Sequence, residues 1–524
     1  MMRAALLTIS HPTFLGLYTA MAFSGAPSRS VSTRPTLRHK EIGRPRPSVF
    51  LLKNIREDAL SQELDQMEDY LGVAMIRNPT TLTSSDGNSQ RPMKSTDAIA
   101  IIAGTAVGGG FLALPSFTSP IGYLPTVLGL CLAFAFLALS ALAFCEAAGL
   151  AADDARRKKQ DSSAAGTSVA SVIRQAFGRR WALVAGFGFL AQMLAVMTAQ
   201  VVKGAELLAE LTGMPYRLAC AIPMTVIGAW VYANSPERVE GANTILTGVM
   251  LAGFGALIAS AAGRENLFAG LLRADWMRLL PNTKVPFALP VFVKLLAFGE
   301  AMPLLIKRMV LGPQQLQADQ AQTNATEPKF DTKEAYSKLR TATFVGASLP
   351  LLLAVIWAGI SASLVDPVDP NPIISLLHNH GRSIAAPVIL LSYGAIGTTI
   401  LGSLLAMAHF ANDMICSKLG YSSFRWSAVA SAFTIALPCA LACVGPSIYL
   451  PLLSFAGAYP TTLLYGLAPS LAALVLRRRL QQHVPDDITT PQLVPGGERT
   501  LVALVCAAVG LVGSSTVLAL RHLF

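Results

Sequence analysis

Apolar runs about as long as a bilayer is thick decide what this chain can become. A helix needs about 20 mainly apolar residues to cross the hydrocarbon core. Eleven such runs are present, at roughly 97–118, 122–149, 181–205, 217–234, 241–262, 286–306, 341–364, 385–411, 427–446, 449–476 and 500–519, here called spans 1 to 11. The 524 residues are 53% hydrophobic and 14% charged, where soluble domains carry about 25% charge. A chain with so little charge cannot wet its own surface, so a soluble enzyme does not fit. Disorder and a collagen-like repeat are excluded by the apolar content. The expected fold is an all-α polytopic membrane protein with the lipid bilayer as its solvent.

Cation placement sets the topology. With the start of span 1 on side A, the loops falling on side A hold twenty Lys and Arg, and the opposite loops and the C-terminal tail hold seven. The clusters Arg156-Arg157-Lys158-Lys159 and Arg477-Arg478-Arg479 carry much of that bias. A miscounted span would scramble it. Side A is therefore the cytoplasm-equivalent side.

Three regions are expected: a targeting leader over 1–48, an amphipathic helix and polar linker over 49–95, and the transmembrane domain over 96–524. The leader begins Met-Met-Arg and continues apolar to Ala20-Met21-Ala22, a cleavage-like site. A run rich in Ser, Thr and Arg follows Phe23. A signal peptide joined to a transit-like peptide resembles the bipartite leader of proteins sent to complex algal plastids. The expected location is a plastid envelope membrane; a plain mitochondrial or chloroplast transit peptide and a simple secretory signal are the alternatives. Most of the net charge of +11 comes from seven cations against one acid in residues 1–46. The basic balance thus says nothing of nucleic acid, and no such partner is expected.

Two spans break helix rules. Span 1 contains Gly104-Thr105-Ala106-Val107-Gly108-Gly109-Gly110, then Pro115. Each mid-helix glycine costs about 1 kcal/mol relative to Ala. Span 6 contains Phe298-Gly299-Glu300-Ala301-Met302-Pro303, where Pro303 lacks an amide hydrogen and clashes with the preceding turn. The two breaks lie five spans apart, in matching positions of two halves, which points to an inverted-repeat transporter site. Unwinding frees backbone groups that are tolerated only where they line a cavity or meet a ligand. Freed N–H groups suit a carboxylate and freed carbonyls an ammonium. An amino acid has both. A lone Gly104-xxx-Gly108 pair reads as tight helix packing; the added Gly109-Gly110 and the paired break favour a ligand site.

Charges inside spans need a reason, since each costs about 3 kcal/mol on insertion scales. Glu300, at the span 6 break, is the proton-coupling candidate; the alternative is a structural pair with Lys294 brought near by the break. Glu146 reads as a packing-network carboxylate. Lys203 and Glu206 read as an i,i+3 pair. Thr398, Thr399 and Ser403 can bond substrate, though span hydroxyls more often bond their own helix. Phe298 either stacks on a substrate ring or packs in the core. His378 and His380, with Asp366 and Asp369, read as a solvated loop rather than a metal site. The seven cysteines form no CxxC pair and read as buried free thiols. No metal, catalytic cluster or nucleotide-binding P-loop is seen, so no cofactor is expected beyond a proton gradient.

At the first break the chain resembles the tryptophan/tyrosine permease family of the amino acid–polyamine–organocation superfamily. The stretch Ala103 to Pro115 looks like that family's signature and continues through Ser119-Pro120-Ile121-Gly122-Tyr123-Leu124-Pro125. Gly346 to Leu351 and on to Trp357 resembles its seventh span, and Ala395 to Ser403 its eighth. The resemblance implies an eleven-helix permease with a five-plus-five inverted repeat, importing an aromatic amino acid with a proton. Two positions depart from the pattern. Gly109 stands where Ala or Ser is usual, and Gly299 stands where His is usual, followed by Glu300. The expected function is proton-coupled alternating access for an amino acid, tyrosine or tryptophan foremost. Another neutral amino acid, or a membrane sensor of the same fold, is the alternative. Expected substrate-binding residues are Gly104, Thr105, Gly108, Gly109, Gly110, Phe298, Gly299, Thr398 and Thr399, with substrate held between spans 1, 6 and 8.

Overall fold

The computed structural model describes residues 93–158, 168–234, 236–262, 276, 285–314, 331–366, 369, 371–379, 381–419, 424–483 and 490–521. Of the three expected regions, the leader and nearly all of 49–95 lie outside the described residues. The described residues up to Ser515 belong to one compact unit.

All secondary structure among the described residues is helical. Among the described residues, nine helices are long and apolar enough to cross a membrane, and the bent pair Ser95–Ala106 and Gly109–Ile121 makes a tenth. Phe424–Ala442 supplies the remaining expected span. Every span found in the sequence is thus a helix. Several run past the apolar limits, as in Tyr123–Arg157, Arg179–Thr212 and Thr332–Leu364. Apolar content marks the lipid boundary, whereas the helix ends where a cap or glycine stops it. Gly122 (φ 97°) turns the chain from span 1 into span 2, and Gly213 (φ 70°) closes span 3, both conformations that a side chain disfavours. At span 7, Asp331 accepts the N–H groups of Lys333 and Glu334 as an N-cap.

The helix partnerships show the five-plus-five repeat. Span 1 packs on span 7, and its counterpart span 6 packs on span 2. Span 3 packs on spans 4 and 10, and its counterpart span 8 packs on spans 9 and 5. Short helices also correspond. Val169–Phe177 joins spans 2 and 3 on side A, and Pro372–Asn379 joins spans 7 and 8 on the opposite side. The latter replaces part of the expected solvated loop. His378 lies in it and pairs with Glu210 of span 3 at 2.9 Å. Among the described residues no group of His, Cys, Asp and Glu has the arrangement of a metal site.

Span 6 is the centre of the bundle, with 78% of its apolar window buried; span 11 is peripheral, at 22%. Leu132, Phe187, Val226, Ile245 and Val509 point outward, as lipid-facing side chains do. Cys145 and Cys220 are buried, but Cys131 and Cys506 are exposed on outer faces, which corrects the expectation of uniformly buried thiols. A small apolar thiol is at home against lipid as well as in a core.

Charged side chains staple the two ends. On side A, Glu146 pairs with Arg477 of span 10 and accepts the N–H groups of Leu493 (3.0 Å) and Val494 (3.3 Å). Asp153 accepts the Thr490 hydroxyl at 2.8 Å. Arg479 donates to the carbonyls of Gln175 (3.0 Å) and Ala176 (3.1 Å), capping the connecting helix. At the other end Lys203 meets Glu206 at 2.7 Å, and Asn371 donates to Glu206 at 2.6 Å.

Candidate functional site

Span 1 unwinds at Val107 and Gly108 and bends by 41° before resuming as a tight turn over Gly109–Ala113. Three other spans supply partners for the freed backbone. The Gly109 N–H donates to Thr399 Oγ1 of span 8 at 3.1 Å, and that hydroxyl donates to the Ala395 carbonyl at 2.9 Å. The Gly109 carbonyl accepts from the Tyr449 hydroxyl of span 10 at 3.3 Å. The Phe111 carbonyl accepts from Trp357 Nε1 of span 7 at 2.9 Å. Among the described residues, no hydrogen bond is made by the N–H groups of Gly108 and Gly110 or the carbonyls of Ala106 and Val107. Donors and acceptors therefore lie side by side with no partner among the described residues.

Span 6 breaks after Leu295 and resumes at a tight turn over Gly299–Ala301. Glu300 Oε1 accepts from Gln192 Nε2 of span 3 at 2.7 Å and lies 3.5 Å from Lys294 Nζ. The unwound segment brings Lys294 and Glu300 together although they are six residues apart, as the pairing alternative anticipated. The two breaks face each other. A Cβ built on Gly110 would stand 3.4 Å from Leu295 Cα, in ordinary contact.

Between the breaks is a cavity of about 150 Å³. Gly104, Thr105, Gly108, Gly109 and Gly110 line it from span 1, Lys294, Ala297 and Glu300 from span 6, and Thr398, Thr399 and Ser403 from span 8. Two expected residues do not line it. Phe298 is buried in the core at 2% exposure. Gly299 faces span 10, where a Cβ would lie 2.6 Å from the Tyr465 ring; the close helix approach explains a glycine there. The hydroxyls of Thr105 and Thr398 bond the carbonyls of Ile101 (2.7 Å) and Ala395 (3.0 Å) in their own helices.

Spans 3 and 5 add walls that the sequence reading left out. Phe189, Met193 and Val196 give an apolar face, while Gln200 and Asn243 bring amides. Gln200 is fully buried, and neither its Oε1 nor its Nε2 has a hydrogen-bond partner among the described residues. A buried amide left unpaired costs about 1–3 kcal/mol. Its amide abuts Gly109 so closely that a Cβ there would lie 1.9 Å from Gln200 Oε1. The departure from Ala or Ser at this position thus has a steric cause. The available signal for these residues was a polar side chain in an apolar span.

The family comparison agrees with the region that holds both breaks. Residues 93–317 match the tryptophan/tyrosine permease family. The matched stretch runs from the start of span 1 to the end of span 6, so both interrupted helices fall inside it. The match is to permeases and not to enzymes. Among curated relatives, the tyrosine-specific transport system 1 of Haemophilus influenzae is 22% identical over 433 residues, which is 79% of this chain and 95% of the relative. Tyrosine-specific transport system 2 of the same organism is 24% identical over 428 residues, 78% of this chain and 93% of the relative. Solved structures of similar course include the inward-facing conformation of Mhp1, at 16% identity, 84% of this chain, 93% of that one and a TM-score of 0.49. A manganese transporter of Eremococcus coleocola follows at 14% identity, 84% and 100% coverage and a TM-score of 0.44. The fold described above rests on this chain's own helices and contacts.

Proposed function

We propose that this protein is a secondary transporter that carries an aromatic amino acid across its membrane by alternating access, with a proton as the coupling ion. The observation that carries the reading is the meeting of two broken helices at one cavity, with unpartnered backbone donors and acceptors beside a carboxylate–lysine pair. The N–H groups of Gly108 and Gly110 suit the substrate carboxylate. The carbonyls of Ala106 and Val107 suit its ammonium. Gln200, holding both a donor and an acceptor next to Gly109, is matched to the same zwitterionic head. Phe189, Met193 and Val196 offer an apolar wall to a ring. The tyrosine transport named for both relatives supports an aromatic side chain.

Glu300 is the proposed proton carrier. Its carboxylate lines the cavity and holds Lys294 and Gln192. Taking up a proton removes its half of the ion pair and frees Lys294, so proton binding and cavity geometry are linked through one side chain. The leader over residues 1–48 supports a plastid envelope location, which imaging of a fluorescent fusion tests. Transport is tested in proteoliposomes with labelled tyrosine, with and without an imposed pH gradient. Wild-type uptake is expected to rise with the gradient. Glu300→Gln is expected to keep tyrosine binding and lose the response to the gradient. Gradient-driven uptake left intact in that variant removes Glu300 from the coupling role.

A further inference from the structure

The span 5 wall of the cavity carries a polar group of its own. Asn243 of span 5 lines the cavity and is 5% exposed. Its Oδ1 is buried with no hydrogen-bond partner among the described residues. Thr247, one turn on, lines the same wall but donates its hydroxyl to the Asn243 backbone carbonyl at 2.9 Å. That leaves the Asn243 amide as the open acceptor of this wall.

Its depth follows from the packing of spans 5 and 8. Leu246 abuts Gly397, Met250 abuts Gly394, and Gly253 abuts the Leu391 backbone. These pairs define one antiparallel register. Continued by a turn, it sets Asn243 level with Ile400 and Leu401, beside the Thr399 hydroxyl that accepts the Gly109 N–H. Asn243 thus enters the cavity at the depth of the span 1 break, but from a helix that offers no freed backbone. The freed backbone of the break already matches both charges of the head group, which leaves the Asn243 acceptor for a donor elsewhere on the substrate.

We infer that Asn243 is a specificity-determining residue that accepts a hydrogen bond from a donor on the substrate ring, a phenol O–H or an indole N–H. The inference rests on the amino acid transport reading above and names the feature by which the site tells aromatic substrates apart. A ring with a donor satisfies Oδ1. A ring without one buries it unpaired, and sites built to pair a substrate O–H reject the analogue lacking it far more strongly than apolar pockets reject a size change. Gln200 does not duplicate this role, because its amide lies directly against Gly109, whose backbone is part of the head-group site.

The experiment is competition against labelled phenylalanine on the purified full chain, using tyrosine, tryptophan, phenylalanine and 4-fluorophenylalanine. In the wild type, tyrosine and tryptophan are expected to compete at least about 100-fold better than the two analogues that lack a donor, beyond what a size change alone gives. In Asn243→Leu, the gap is expected to close, tyrosine weakening and phenylalanine holding or gaining affinity because no acceptor is left unpaired, and retained phenylalanine binding also shows that the variant is folded. Equal competition by all four on the wild type overturns the inference and leaves the transport reading standing. So does an Asn243→Leu variant that weakens all four by one factor. If none of the four binds, both the inference and the reading beneath it fall. The wild-type comparison decides by itself should Asn243→Leu not fold.

Discussion

Gly109 carries more of the site than its size suggests. Its N–H, its carbonyl and the space where a side chain would stand are each engaged, by Thr399, Tyr449 and Gln200 respectively. Adding one methyl there forces the Gln200 amide away, since the new carbon would lie 1.9 Å from its oxygen. Overpacking of this kind costs about 1–3 kcal/mol. Gly109→Ala is therefore expected to weaken tyrosine binding by about 5- to 100-fold, read by equilibrium binding. Gly255→Ala is the matched control, because no atom lies within 4 Å of a Cβ built there; affinity should not move and the helix should gain a few tenths of a kcal/mol or more. Unchanged affinity in Gly109→Ala would show that Gln200 is not part of the site. At this scale the sequence was only half legible. The glycine run announced the break, because consecutive glycines have no other use in mid-membrane. Gln200 and Asn243 gave no comparable sign, because a single amide in an apolar span acquires meaning only from what stands opposite it.

Helical elements were legible almost throughout, because lipid imposes a length and a polarity on every crossing segment. What apolar content cannot show is the short connecting helices, Val169–Phe177 and Pro372–Asn379, which lie outside the spans. Nor can it show which helices touch. Glu146 illustrates the second point. Read in sequence it is an isolated acid late in span 2; in the structure it joins span 2 to Arg477 of span 10 and to the backbone of Leu493 and Val494. Glu146 is 1% exposed. Breaking a buried pair by removing one partner strands the other charge and costs about 3–5 kcal/mol. Glu146→Ala is expected to lower thermal stability by that order in detergent, with the Arg477→Ala variant and the double variant closing a cycle. A double variant no more stable than the sum of the two single losses would mean that the pair is not coupled, contrary to the geometry.

At the scale of the whole molecule, the repeat explains why the site lies where it does. Spans 1 and 6 are related positions of two inverted halves, so a break in each meets the other at mid-membrane. The cavity wall continues along span 8 to Ser403 and Ala406, on the side A half of that helix. Toward the other side lie the Trp357 contact to Phe111 and the Lys203 ammonium 5.5 Å over the Tyr449 ring. The Lys203–Glu206–Asn371 cluster joins span 3 to the connecting helix at that end. Contacts across the bundle on one side and a cavity wall that continues toward the other are the asymmetry that the proposed alternating access requires. The central claim is that the two broken helices together hold a zwitterion, and its most direct test is an experimental structure of the full chain with tyrosine bound. The substrate carboxylate is expected within about 3 Å of the Gly108 and Gly110 N–H groups, its ammonium at the Ala106 and Val107 carbonyls, and Lys294 and Glu300 at the cavity edge. Tyrosine bound elsewhere in the bundle, or at this cavity without backbone contacts to either break, would contradict the claim.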